Sequence, residues 1–125
     1  MKPKHILITG SAGLVGSEAV RFYSKKGYIV HGIDNNMRKH FFGSDGDTGS
    51  IRASLVGLHK QYHHHDFDIR DTHAVEKLFR SVRFDLIIHA AGQPSHDWAA
   101  GDPMTDFDIN ARATLLLLEA TRKHC

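Results

Sequence analysis

The chain reads as an α/β protein built on a parallel sheet in spatial order 3-2-1-4 with helices on both faces, and three observations predict it. Strand-like and helix-like segments alternate four times along its 125 residues. The apolar run Ile6-Leu7-Ile8-Thr9 feeds directly into Gly10-Ser11-Ala12-Gly13-Leu14-Val15-Gly16. The segment Phe84 to Ala90 is near-continuously apolar, the pattern of a strand covered on both faces by crossover helices.

The elements follow in order. After the first strand, Val15, Ala19, Phe22 and Tyr23 recur at helical spacing and predict one apolar stripe on a helix that Gly27 ends. Tyr28 to Asp34 is the second strand. Asn35 to Ser50 carries Gly43, Gly46 and Gly49 with several Asp and Asn, yet also Phe41-Phe42, which a solvated linker does not need; it reads as a functional loop. Ile51 to Lys60 reads as a helix, and Gln61 to Phe67 as the third strand. Asp71 caps a helix whose Val75, Leu78, Phe79 and Val82 share a face. The strand Phe84 to Ala90 follows, and Asp102-Pro103 opens the last helix with proline where its missing N–H costs nothing. In that helix Ile109, Ala113, Leu116, Leu117 and Ala120 form one stripe, while Leu115 and Leu118 lie off it. This fits either a broad core-facing surface or a helix, 103–125, that also packs on a second copy of the chain.

Composition sets the remaining bounds. Sixteen Lys and Arg against fourteen Asp and Glu leave a formal charge of +2, with the basic residues dispersed rather than striped, so the footprint of a nucleic-acid binder is missing. The lone cysteine, Cys125, excludes an internal disulfide framework. With no apolar run of membrane-spanning length, the expectation is one soluble cytoplasmic domain over 1–125 without nucleic-acid or membrane partners.

The glycine segment points to a ligand. Gly10 allows a tight strand-to-helix turn, Gly13 lets backbone approach phosphate oxygens, and Gly16 lets the helix pack closely on the strand, leaving the helix's first N–H groups to face an anion. Asp34 ends the second strand, eighteen residues beyond Gly16. A carboxylate there can accept hydrogen bonds from both hydroxyls of an adenosine ribose and repels a 2′-phosphate, so NAD is expected rather than NADP; the competing reading is a strand-end cap. Arg38 and Lys39 are cations that a 2′-phosphate could use. Asp68-Ile69 reads either as a contact to adenine or as a turn cap shared with Asp71. Ala90-Ala91-Gly92 reads either as a close passage along the cofactor or as a plain strand-ending turn.

Two tempting clusters carry less. His63 and His65 face opposite to His64 in a strand, so His59-to-Asp66 does not build one coordination sphere, and no metal is expected. Ser95-His96-Asp97 spells a hydrolase triad, but neighbouring side chains rarely hydrogen-bond in series. Trp98 beside them reads as a loop anchor or a wall of a substrate site. No Tyr-x-x-x-Lys occurs: Tyr23, Tyr28 and Tyr62 are followed four residues on by Gly27, Gly32 and Asp66.

Taken together, Ile8-Thr9-Gly10 through Gly16, Ile33-Asp34-Asn35 with Arg38, Asp68-Ile69-Arg70-Asp71, His89-Ala90-Ala91-Gly92-Gln93, and Phe107-Asp108-Ile109-Asn110 leading to Leu117-Leu118-Glu119-Ala120 resemble the extended short-chain dehydrogenases/reductases that act as NAD-dependent sugar-nucleotide epimerases and dehydratases. Gln93 and the stretch after Asp34 resemble its CDP-paratose branch. The resemblance implies a Rossmann-type sheet ending after the fourth βα unit. It places Gly10, Gly13, Leu14, Val15 and Gly16 around the pyrophosphate, Asp34 on ribose, Asn35 and Arg38 near the adenosine, and Asp68 and Ile69 at the adenine. Ala90, Ala91 and Gly92 would run along the cofactor, and Asn110 would brace the active site. The chain departs from the family at Ala113, usually glycine, and at Leu14, usually phenylalanine. The family's catalytic Tyr-x-x-x-Lys pair and nucleotide-sugar lobe lie beyond this stretch, so the resemblance implies the cofactor-binding half of an epimerase, inactive alone and meeting a nucleotide sugar only as part of a full-length enzyme.

Overall fold

Four short parallel strands, β1 (His5–Thr9), β2 (Ile29–Ile33), β3 (Tyr62–His65) and β4 (Leu86–His89), form one sheet in the order β3-β2-β1-β4, as the alternation predicts. These features come from a computed structural model that describes Lys2 and residues 4–125. The register pairs Ile6 with Val30 and with Leu86, so the period of two sends alternate residues of neighbouring strands to the same side. Ile6, Ile8, Val30 and Tyr62 form one core beneath α1 (Leu14–Lys25) and α3 (Gly49–Leu58), joined by Val20 and Leu55. On the other face Leu7 and Ile33 pack with Val75, Leu78 and Phe79 of α4 (Thr72–Ser81) and with Ala113 and Leu117 of α7 (Ala113–His124). No helix among the described residues is long and apolar enough to cross a membrane.

Four expectations need correction. The buried side of α1 is Gly16, Ser17, Val20 and Ser24, whereas Val15 is 66% and Phe22 52% exposed. Gly16 sits against the Gly10 carbonyl, and that backbone contact, not the apolar stripe, sets the helix's rotation. Phe22 instead packs edge-on against Tyr23 and beneath the Lys26 ammonium. Second, the stretch 35–50 is not a bare loop: it folds into α2 (Met37–Phe42), a 3₁₀ turn (Gly43–Gly46) and the start of α3, with Phe41 buried. Third, β4 is shorter than the apolar run and is an edge strand, with Leu86 exposed and Ile87 and Ile88 half-buried against opposite cores, so each face is only partly covered.

Finally, the last helix has more parts than its sequence suggested. Ser95 caps an unforeseen α5 (His96–Gly101) by accepting the Trp98 N–H at 3.3 Å, which is what the Ser95-His96-Asp97 triplet does. Asp102 caps α6 (Pro103–Phe107), and a π-helical turn at Asp108–Arg112 joins α6 to α7. Ile109, Ala113, Leu117 and Ala120 are buried and Leu116 is half-buried, while Leu115 and Leu118 stand 59% and 61% exposed.

Candidate functional site

At the carboxyl ends of all four strands lies one groove, the place where an open parallel sheet leaves a crevice for ligands. Its floor is the glycine turn. Gly10 has φ +67°, and a Cβ there would lie 2.8 Å from the Ala91 backbone nitrogen. Gly10 donates its N–H to the Ile33 carbonyl at 2.8 Å, tying β1 to the end of β2. Gly13 is the N-cap of α1 with no side chain capping the helix and no acidic residue in its first turn. The first N–H groups of α1 are therefore free to receive an anion, and the missing side chains at Gly10, Gly13 and Gly16 leave backbone bare at that point. Leu14 and Val15 line the groove from the same turn, which explains their exposure.

The β2 side is organised by one carboxylate. Asp34 Oδ2 accepts the Ala12 N–H at 3.1 Å and Oδ1 accepts the Asn36 N–H at 2.8 Å, so Asp34 caps both the glycine turn and its own strand end. The cap reading holds, and the carboxylate keeps further acceptor positions for hydroxyl donors. Asn36 takes the left-handed conformation, φ 61°, that asparagine tolerates best among residues with a Cβ. Its amide donates to Asp47 at 2.9 Å and accepts from the Thr48 N–H at 2.9 Å and the Thr48 hydroxyl at 3.0 Å. This clasp folds 35–49 back on itself and brings buried Thr48 into the groove wall beside Asn35, Met37 and Arg38. The Arg38 guanidinium lies over the Phe42 ring at 4.9 Å, and Lys39 pairs with Asp47 at 3.1 Å. Trp98 acts as an anchor for this segment, donating its indole N–H to the Phe41 carbonyl at 3.2 Å.

From β3 come Phe67, Asp68 and Ile69. Asp68 is held on both oxygens by Arg70, with Nη2 at 2.7 Å from Oδ2, and also accepts the Arg70 N–H at 2.8 Å. Burial pushes its pKa up, yet the hydrogen bonds and charge of Arg70 outweigh that and leave it lowered. It is both the turn cap and a groove carboxylate, while Asp71 caps α4 separately by accepting the Ala74 N–H at 3.0 Å.

From β4 come Ala90, Ala91, Gly92 and Pro94, backed by Ile109 of the π-turn. A directional chain holds this side. Ala91 N–H donates to Thr9 Oγ1 at 3.1 Å, and Thr9 Oγ1 lies 2.6 Å from His89 Nδ1. His89 Nε2 lies 3.0 Å from the Thr114 hydroxyl, which donates to the Asn110 carbonyl at 2.7 Å. Because Thr114 spends its proton on Asn110, His89 donates from Nε2; burial lowers its pKa, which favours the neutral ring with Nδ1 accepting from the Thr9 hydroxyl. Asn110 Oδ1 accepts the Gln93 N–H at 2.8 Å and so ties the loop after β4 to the π-turn. The Gln93 side chain is buried, pairing with the Ser95 backbone and with Asp106 at 3.1 Å.

Every residue singled out for the cofactor from the sequence therefore lines this groove. The sequence reading did not include Thr48, Met37, Phe67, Pro94 or Ile109. Only Thr48 carried a local signal, as a hydroxyl between Asp47 and Gly49 at a helix start. Away from the groove, His63 and His65 lie on the sheet face of His31, with ring centroids 5.1 and 5.3 Å away, and His64 points to the opposite face toward Tyr62 at 2.8 Å. Tyr62 is buried and its hydroxyl donates to Ser11 at 2.8 Å; burial pushes its pKa up to about 12, the opposite of what a catalytic tyrosine needs.

Comparison with known proteins places these features. A UDP-glucose 4-epimerase of Oryza sativa is 33% identical over 121 residues, which are 95% of this chain and 28% of that protein. The human UDP-glucose 4-epimerase is 29% identical over 119 residues, 95% of this chain and 34% of that protein. The structure of UDP-glucose 4-epimerase from Thermus thermophilus in complex with NAD superposes with a TM-score of 0.76 at 30% identity, over 96% of this chain and 34% of that one. The Bifidobacterium longum enzyme in complex with NAD+ and UDP gives 0.80 at 27% identity, over 97% and 34%. The chain thus spans about a third of the length of the relatives it matches. Residues 6–125 match the model of the NAD dependent epimerase/dehydratase family, and with a four-stranded parallel sheet, a glycine turn and a strand-end carboxylate in the order that family shares, the chain belongs to it.

Proposed function

We propose that these 125 residues are the NAD-binding portion of a nucleotide-sugar epimerase and that they bind NAD without turning over a sugar. The observation that carries this is the groove, where an uncapped α1 N-terminus and side-chain-free Gly10, Gly13 and Gly16 face Asp34 across the end of β2. The α1 N–H groups would hold the pyrophosphate and Asp34 the ribose hydroxyls of the adenosine, with Asn35 and Arg38 beside it. Asp68 and Ile69 would meet the adenine, and Ala90, Ala91 and Gly92 would run beneath the nicotinamide ribose. NAD, when bound, supplies a hydride acceptor; no residue of this chain stands as the Tyr and Lys that would move the sugar's proton.

The sugar nucleotide belongs to the longer enzyme. The matched relatives bear the name UDP-glucose 4-epimerase, while Gln93 and the stretch after Asp34 favour the CDP-paratose branch. In this chain the Gln93 amide pairs with the Ser95 carbonyl and with Asp106, which shapes the loop before α5. A cytoplasmic location is part of the same reading. A second reading, pairing of two copies through 103–125, is favoured by the exposed Leu115 and Leu118 on α7.

Calorimetric titration of cofactor-free protein with NAD and with NADP tests the main proposal. Saturable binding that prefers NAD is expected, with no epimerisation of UDP- or CDP-linked sugars. Absence of NAD binding by folded protein would overturn the cofactor reading, and NAD-dependent turnover would overturn the claim that the missing pair is indispensable.

A further inference from the structure

We propose that Asp47 is a cofactor-specificity residue: by pairing with Lys39 and holding the Asn36 clasp, it keeps a cation out of the ribose end of the groove that would otherwise welcome a 2′-phosphate. The inference rests on the cofactor reading above.

Lys39 is adjacent in sequence to Arg38, which lines the groove, and its ammonium lies 3.1 Å from Asp47 Oδ2. The other Asp47 oxygen accepts from the Asn36 amide at 2.9 Å and from the Gly49 N–H at 2.8 Å. Asn36 in turn donates its backbone N–H to Asp34 at 2.8 Å. The ammonium is therefore three linked contacts from the carboxylate expected to hold the ribose, at the end of a flexible four-carbon stem. These hydrogen bonds and the lysine hold Asp47 ionised, lowering its pKa to about 2. Arg38, the other nearby cation, is spent in part on the face of Phe42. Asp34 thus stands in the groove wall while Lys39 is turned to a protein partner outside it, leaving Arg38 as the cation that lines the groove. A 2′-phosphate brings close to two negative charges and gains from each cation that can reach it, and this arrangement withholds Lys39.

The test is the ratio of NADP to NAD dissociation constants for the 125-residue chain and three variants. Asp47→Asn keeps an acceptor for Gly49 and Asn36 but releases Lys39; NADP affinity should rise about tenfold with NAD affinity within about threefold. Adding Lys39→Met to that variant should return the ratio to the wild-type value. Lys39→Met alone leaves the Asp47 charge unpaired and should not favour NADP. If Asp47→Asn does not fold, Asp47→Ser removes the same charge while retaining an oxygen acceptor. An unchanged ratio in the Asp47 variants, a gain that survives Lys39→Met, or a rise of NADP affinity in Lys39→Met alone would each overturn the proposal. Failure of the unmodified chain to bind either nucleotide would instead refute the underlying cofactor reading.

Discussion

His31 sits in the middle of β2, 7% exposed, with Nδ1 3.0 Å from His65 Nε2 and Nε2 3.4 Å from His5 Nδ1. His63 stacks on its ring at 5.1 Å and Phe84 meets it edge-on at 5.4 Å. Burial, followed by the neighbouring His65, His63 and His5, lowers its pKa from 6.5 to about 4. The unfolded chain therefore binds more protons than the folded one between pH 6.5 and 4, so the stability linked to His31 is complete above 6.5, falls as the pH drops through this window, and changes no further below 4. At about 1.4 kcal/mol per pH unit the window is worth at most about 3 kcal/mol. Since His5, His63 and His65 are each partly open to water, screening brings that to about 2 kcal/mol. Against the 5–15 kcal/mol typical of a domain, between about an eighth and two-fifths of the stability depends on one imidazole staying neutral. Urea denaturation followed by circular dichroism at pH 4, 5, 6, 7 and 8, at constant ionic strength, measures it. His31→Leu, which fills the same space without titrating, should flatten the profile by about 2 kcal/mol, leaving the smaller slope due to His65 and His64, whose pKa values burial also lowers. A variant whose profile matches the parent's, or a parent that gains stability on acidification, would refute this reasoning.

Three further outcomes follow from the packing. Gly16→Ala places a Cβ into the Gly10 carbonyl, a backbone-on-backbone contact that no rotamer relieves; a loss of about 2–4 kcal/mol by urea denaturation and loss of NAD binding are expected. Ser24 Oγ is buried on α1 without a hydrogen-bond partner among the described residues, so Ser24→Ala should be neutral or raise stability by up to about 1 kcal/mol, seen as a thermal midpoint higher by a few degrees. Leu115→Glu with Leu118→Glu should convert any dimer seen by sedimentation at micromolar concentration to monomer without changing the far-ultraviolet circular dichroism, because both side chains project away from the core; a protein already monomeric would count against pairing through 103–125.

Sheet order, the glycine turn and the strand-end Asp34 were legible because each rests on a short-range rule. Alternation forces right-handed crossovers, glycine is demanded where Gly10 turns with positive φ, and a parallel sheet delivers its strand ends to one crevice. These local requirements determined by themselves where a dinucleotide could lie. What the tertiary structure alone decided were rotations and partnerships across long separations. The α1 stripe was misread because the Gly16–Gly10 backbone contact, worth more than any exposed Val15 or Phe22, turned the helix by part of a turn. Thr48 entered the groove only because Asn36 reached twelve residues ahead, and His89 became a neutral strut only because Thr9 and Thr114 arrived on either side of it. Whether Lys39 faces a ligand or a carboxylate was likewise open in the sequence. Side chains from residues far apart in the chain compete for the same few hydrogen-bonding positions, and only the folded arrangement says which of them wins.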